Sequence, residues 1–117
     1  MMKFISTMFF ASLISCFATN APAYTDHETA VIKVMNKAAG KTYDVSLPLN
    51  RDVQYEKLTI VAHTCKQTDP FQVENFFSFI EITKGSSKIF SGWMNKNEPG
   101  DNPVQDADYD VWLVRCE

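Results

Sequence analysis

Apolar residues along this chain recur mainly at a spacing of two, and nowhere with a sustained helical period. Thr29 to Met35 (TAVIKVM) is β-branched and mostly apolar. From Thr42 to Leu49, Tyr43, Val45, Leu47 and Leu49 share one side, while Asp44 and Ser46 point the other way. Lys57 to Cys65 (KLTIVAHTC) is apolar on both sides at its centre, and Phe76 to Thr83 (FFSFIEIT) is the strongest strand signal. Lys88 to Met94 (KIFSGWM) and Tyr109 to Cys116 (YDVWLVRC) complete six predicted strands. Alternation of this kind marks strands with one face on a core. The punctuation agrees: Lys37 to Lys41 and Asn50-Arg51-Asp52 read as turns, and Lys84-Gly85-Ser86-Ser87 as a hairpin turn. Asn95 to Asp108, with Pro99-Gly100 and Pro103, reads as one long polar loop. The expected fold is all-β: a small antiparallel sandwich or partly open barrel of about six strands.

Strict alternation also assigns faces. It places Thr59, Val61, His63 and Cys65 together on the third strand, and Trp112, Val114 and Cys116 together on the last. Tyr109, Val111 and Leu113 then form a second apolar face of the last strand, which reads as a strand covered on both sides or one offering a patch to a partner. Asp110 falls on the same side as Trp112 and Cys116, where a carboxylate on a core face would need a hydrogen-bonding partner. Trp93 and Trp112 are expected in the core. Phe76, Phe77 and Phe79 put rings on both faces of one strand, which should therefore be central.

The first 23 residues have a different character. Lys3 precedes an apolar stretch from Phe4 to Ala18, and Ala21-Pro22-Ala23 supplies small residues ahead of a cut. This is the pattern of a secretory signal peptide, too short for a comfortable membrane span. A cut after Ala23 leaves a single β domain, residues 24–117, with ten basic and fourteen acidic residues and a net charge of −4. A second cut competes. Leu13-Ile14-Ser15-Cys16 matches a lipoprotein box, in which Cys16 would carry acyl chains and anchor the domain to a membrane facing the periplasm. The expected location is the periplasm, free or tethered.

Length and charge narrow the classes further. A chain of 117 residues holds one domain, and 11 Lys+Arg against 14 Asp+Glu, without a basic cluster, speaks against nucleic acid as a partner. Beyond Cys16 only Cys65 and Cys116 remain, and two cysteines in a small exported domain are expected to form one disulfide, the alternative being two buried thiols. No C-x-x-C occurs, so thiol–disulfide catalysis and zinc ribbons are unsupported.

At this point the ordered pieces Gly40-Lys41-Thr42, Leu58-Thr59-Ile60 with Cys65, Phe79-Ile80-Glu81-Ile82, Phe90-Ser91-Gly92-Trp93-Met94 and Tyr109-Asp110-Val111-Trp112 with Cys116 carry a resemblance. The chain resembles the domain of unknown function 2155 family over about residues 30–116. FSGWM and YDVW-x-x-C, in this order, are its specific pieces. The resemblance implies small exported proteins of alphaproteobacteria and implies no activity. The chain departs from the family pattern at Asn95-Lys96-Asn97-Glu98 and at Ala107-Asp108, so a role of the family's loop does not carry over.

Candidate chemistry is sparse. His27, in the N-terminal lead expected to be mobile, and His63 are the only histidines, and neither stands in a recognisable nucleophile–base arrangement. Asp106, Asp108 and Asp110, with Glu117 at the twelfth position, imitate the spacing of a calcium loop, but Val111 stands where that loop needs glycine. A solvated acidic loop is the expectation, with no metal, cofactor or catalytic residue. The predicted binding surface is the end from Gly92 to Asp110, pinned by Trp93 and carrying Asp101, Asp106, Asp108 and Asp110. The expected function is a non-enzymatic binding module for an envelope protein or other envelope component. The alternative is a proteinaceous inhibitor of an envelope-acting hydrolase, working through a loop inserted into a cleft.

Overall fold

The computed structural model describes residues 24–117. The expected cut after Ala23 and the competing acylation at Cys16 lie outside the described residues. Eight strands form: β1 (Thr25–His27), β2 (Thr29–Asn36), β3 (Lys41–Pro48), β4 (Val53–Tyr55), β5 (Leu58–Gln67), β6 (Phe76–Lys84), β7 (Ser87–Asn95) and β8 (Tyr109–Cys116). They make two antiparallel sheets that do not close into a barrel. The larger runs β1-β5-β6-β7 with β4 also on β5, and the smaller runs β3-β2-β8. Among the described residues no helix is long and apolar enough to cross a membrane.

The six expected strands are all present, and the hairpin turn after β6 has Gly85 at φ +62°, a conformation that glycine adopts without strain. Two short strands were not expected. β1 occupies the supposedly mobile lead, pairing Thr25 with Gln67 and His27 with Cys65, and His27 Nε2 lies 2.8 Å from Gln67 Oε1. β4 follows the Asn50–Asp52 turn and pairs with the start of β5. Three residues are too few to show a period, so neither strand was visible in the alternation.

The core lies between the sheets. Ile60, Ile80 and Ile82 from the larger sheet meet Ile32, Val34, Leu47 and Leu113 from the smaller one, all buried. β6 lies between β5 and β7, as its double aromatic face implied. β8 instead forms an edge of the smaller sheet, and its buried side is Tyr109, Val111, Leu113 and Cys116.

This overturns the face assignments. On β5, Ala62 pairs with Ile80 and Thr64 with Phe79, so His63 is an extra residue, a β-bulge. Leu58, Ile60 and Ala62 point inward before it, and Cys65 points inward after it. On β8, Leu113 pairs with Ile32 and Arg115 with Val31, so Val114 is extra in the same way. The inward set is therefore Leu58/Ile60/Ala62/Cys65 on one strand and Val111/Leu113/Cys116 on the other. Trp112 and Asp110 lie on the outer side of the smaller sheet, and the Asp110 carboxylate is not on a core face. Trp93 and Trp112 are not core residues: Trp93 is 47% exposed and Trp112 is half-buried.

The two bulges bring Cys65 and Cys116 to a Cα–Cα distance of 5.6 Å, and they form a disulfide between the sheets. It closes a separation of 51 residues, which on the chain-entropy account stabilises the fold by about 4 kcal/mol. Replacing either cysteine with serine is expected to lower unfolding stability by about 2–5 kcal/mol in denaturant titrations. A loss below about 1 kcal/mol would show that the sheets hold together without the bond.

Candidate functional site

The outer face of the larger sheet carries a cluster of rings. On β6 the outward positions are Phe77, Phe79 and Glu81, because Phe76, Ser78, Ile80 and Ile82 point into the core. Register places Trp93 of β7 beside Phe79, and Lys66 of β5 beside Phe77. Phe79 and Trp93 meet edge to face with centroids 5.6 Å apart, and His63 lies 5.9 Å from Phe79 on the other side. Tyr24, just ahead of β1, meets the Phe77 ring edge to face at 6.1 Å. Edge-to-face packing suits the ring quadrupoles and keeps the side chains in place. Tyr24, Lys66, Phe77 and Trp93 bound an open groove of about 210 Å³ with almost wholly apolar walls. The Lys66 ammonium turns to the rim, 3.2 Å from Asp26.

Beside these rings lies a polar cluster centred on Glu81. Its carboxylate is 3.0 Å from His63 Nε2, and it accepts from Lys88 Nζ at 3.1 Å and Ser91 Oγ at 3.2 Å. The His63 bond, followed by Lys88, holds the Glu81 carboxyl down at about 2. His63 Nδ1 is in turn 3.3 Å from Asn50 Oδ1. Both ring nitrogens are thus engaged, and the Ser91 hydroxyl gives its proton to Glu81 rather than to the imidazole. As placed, this trio orients His63 against Phe79 and does not prime Ser91 for attack.

The acidic loop is a different kind of structure. Lys84 pairs with Asp106 and Asp108, and its ammonium lies 5.8 Å from the centre of the Tyr109 ring. The Asp106 side chain is only 10% exposed. Burial disfavours its charge, but the Asp108 backbone N–H and Lys84 outweigh this and lower its pKa. Lys37 Nζ donates to Asp106 O at 2.8 Å, and Tyr109 OH donates to Glu56 at 2.8 Å. Val104 is buried under the loop, and Asn102 Nδ2 donates to Trp93 O at 3.2 Å. The loop thereby lies along the open side between β7 and β8.

The predicted binding residues are thus divided. Trp93 belongs to the aromatic groove. Asp106 and Asp108 clamp the loop through Lys84. Asp101 lies at the exposed turn beside Glu98, whose pKa it raises, and Asp110 is on the outer side of the smaller sheet. The Phe77 and Phe79 side of the groove was visible in the FFSFIEIT alternation. Tyr24 was not, because its place depends on the short β1. Phe71 and Val73, 96% and 84% exposed in the β5–β6 loop, were also missed. The available signal was two large apolar residues just after Asp69-Pro70, in a segment that no strand claims.

Two outcomes test this account. Gly92 faces Asn102 so closely that an added Cβ would stand 2.5 Å from its Nδ2. Gly92→Ala should displace Asn102 from Trp93 O and cost about 1 kcal/mol of stability, read by denaturant unfolding. A variant as stable as the parent would show that this contact does not hold the loop. For Glu81 the folded pKa is lowered, so its contribution is present above its ordinary 4.5 and is lost as pH falls toward about 2. Glu81→Gln should melt below the parent at pH 6, with the gap closing as acid is added. A gap that stays constant down to the acid limit would mean that Glu81 does not contribute through its charge.

Neither a curated protein nor a solved structure matches the chain. The family described as "Uncharacterized protein conserved in bacteria (DUF2155)" does match, over residues 30–116, from the second residue of β2 to the disulfide cysteine of β8. That span takes in every strand except β1, with the long loop and Trp93, while Tyr24 lies ahead of it, and the chain belongs to this family.

Proposed function

We propose that the protein is exported to the periplasm and serves there as a non-enzymatic binding module of the cell envelope, with the aromatic groove as its binding surface. The observation that carries this reading is the groove itself. Tyr24, Phe77 and Trp93 form an open concave apolar surface on a sheet face that needs no such surface for its own stability. Export is supported by the signal-peptide pattern of the first 23 residues and by a disulfide that suits an oxidising compartment. A cut after Ala23 would make Tyr24 the first residue of the mature chain, so processing would leave the new N-terminus at the groove.

The inhibitor reading has one observation of its own. The β5–β6 loop projects Phe71 almost wholly into solvent from a hydrogen-bonded turn, the form that a loop entering a cleft requires.

The test compares the exported protein with a Trp93→Ser variant in chemical crosslinking within intact envelope preparations. Trp93 is half exposed, so the variant should fold. Loss of the parent's crosslinked species in the variant is expected. The same species at the same yield would remove the groove from the binding surface.

A further inference from the structure

β8 is paired on one side only, with β2, and its other edge borders the long loop. There Pro99, Gly100, Pro103, Asp110, Val111 and Trp112 line an open cavity of about 330 Å³. Asp110 and Trp112 are neighbours on the outer side of the strand. We infer that this pocket takes an arginine side chain of a partner protein, its guanidinium laid on the Trp112 ring and paired with the Asp110 carboxylate. The site shares no residue with the aromatic groove, so the inference goes beyond the groove reading and stands without it.

Charge decides the sign of the occupant. Glu98 and Asp101 flank Pro99 and Gly100 in the chain, beside the pocket wall that these two form. Sharing a hydrogen bond with Asp101, and then facing its charge, raises the Glu98 pKa, as two carboxyls close together require. Glu98, Asp101 and Asp110 form no ion pair among the described residues. Lys33 stands directly opposite Trp112 in the β2–β8 register, but its ammonium turns to Asp44, 3.6 Å away. Lys84 is taken by Asp106 and Asp108 and by the Tyr109 ring. Carboxylates without a counter-ion thus gather around an aromatic wall, an arrangement complementary to a cation.

The main chain favours arginine over lysine. Lys37 N donates to Asp108 O at 2.9 Å, which fixes the phase of the β2–β8 ladder. Bonded residues alternate in an antiparallel ladder. Asp110 and Trp112 therefore pair their backbone with β2, while Tyr109, Val111 and Leu113 turn theirs to the open edge. Tyr109 N is accordingly taken by Asp106 Oδ2 at 3.1 Å. Val111 has no such partner among the described residues, although it is only 5% exposed. Its carbonyl is an acceptor beside the Trp112 ring and the Asp110 carboxylate. A guanidinium carries its N–H donors in a planar fork, so it can lie flat on an indole while donating in its plane to a carboxylate and a carbonyl. An ammonium is a compact, more strongly hydrated charge and loses more water on entering. Pro99 and Pro103 stiffen the loop side of the pocket, so little of it has to be ordered when a side chain enters.

The experiment follows the indole N–H signals of the exported protein by NMR. The chain has two tryptophans, and Trp93→Ser identifies the Trp112 signal by removing the other. The probe is an end-capped Gly-Arg-Gly peptide, set against the same peptide with citrulline, which keeps the shape and loses the charge. The Trp112 signal is expected to shift saturably with the arginine peptide, and the citrulline peptide to bind about fivefold more weakly or worse. Added salt should weaken the arginine peptide's binding, and Asp110→Asn should weaken it by about fivefold. Asp110 lies on the outer side of the sheet, where an amide of the same shape should leave the melting temperature unmoved. A Trp112 signal that stays still, an equal response to the citrulline peptide, or full binding by Asp110→Asn overturns the proposal. So does a shift confined to the Trp93 signal, which would place the cation in the aromatic groove. The groove reading is judged separately, by the crosslinked species that Trp93→Ser removes, and neither result decides the other.

Discussion

The disulfide between Cys65 and Cys116 is the constraint around which the other features of this domain are arranged. It can form only if two strands from different sheets each turn a cysteine into the core. Neither strand does so by plain alternation. β5 needs the extra residue His63 and β8 the extra residue Val114. Without either bulge both sulfurs would point away from the core, on opposite outer faces of the domain. With only one bulge they would lie on opposite sides of a sheet. A bulge interrupts a ladder and bends its strand, so the sequence accepts two local defects for one covalent link across a small core. The link reinforces what burial alone supplies only modestly in a domain of this size.

The bulge on β5 also has an outward consequence. It turns the His63 ring toward Glu81 and against Phe79, and Phe79 supports Trp93. The same irregularity that turns Cys65 inward therefore supplies the polar end of the aromatic face. On the other side of the molecule, charge is used for closure. The sandwich is open between β7 and β8, and the long loop lies there, held by Lys84, Lys37 and the buried Val104. Two of the four acidic residues assigned to a binding surface, Asp106 and Asp108, are already engaged with Lys84. This leaves the aromatic groove and the Phe71 tip as the surfaces least explained by the domain's own stability.

Much of the architecture was legible in the sequence because it rests on period and punctuation. Six strands, the Gly85 hairpin, the long loop and the all-β class all follow from alternation and turn chemistry. The pairing of Cys65 with Cys116 was legible from cysteine count and export pattern. The faces were not, because alternation is a parity rule and one inserted residue reverses it. Two parity errors, one on each strand, cancelled in the disulfide expectation but not for Asp110 or Trp112, which were assigned to the core and lie outside it. β1 and β4 were missed because pairing partners, not local pattern, make three residues a strand.

The site was harder to read for a related reason. Acidic residues close together in sequence suggested one negative surface, but Lys84, at the far end of β6, sits between Asp106 and Asp108. Proximity in sequence says little about charge when the counter-ion arrives from another strand. The reverse holds for the rings. Tyr24, Phe77 and Trp93 are far apart in the chain, and no local motif joins them. They meet because β1 pairs with β5, β5 with β6, and β6 with β7, each in a fixed register. A surface assembled across four strands is a property of pairing. The residues that assemble it can be recognised as functional candidates only after the register has shown that their outward positions coincide and that the core has no use for them.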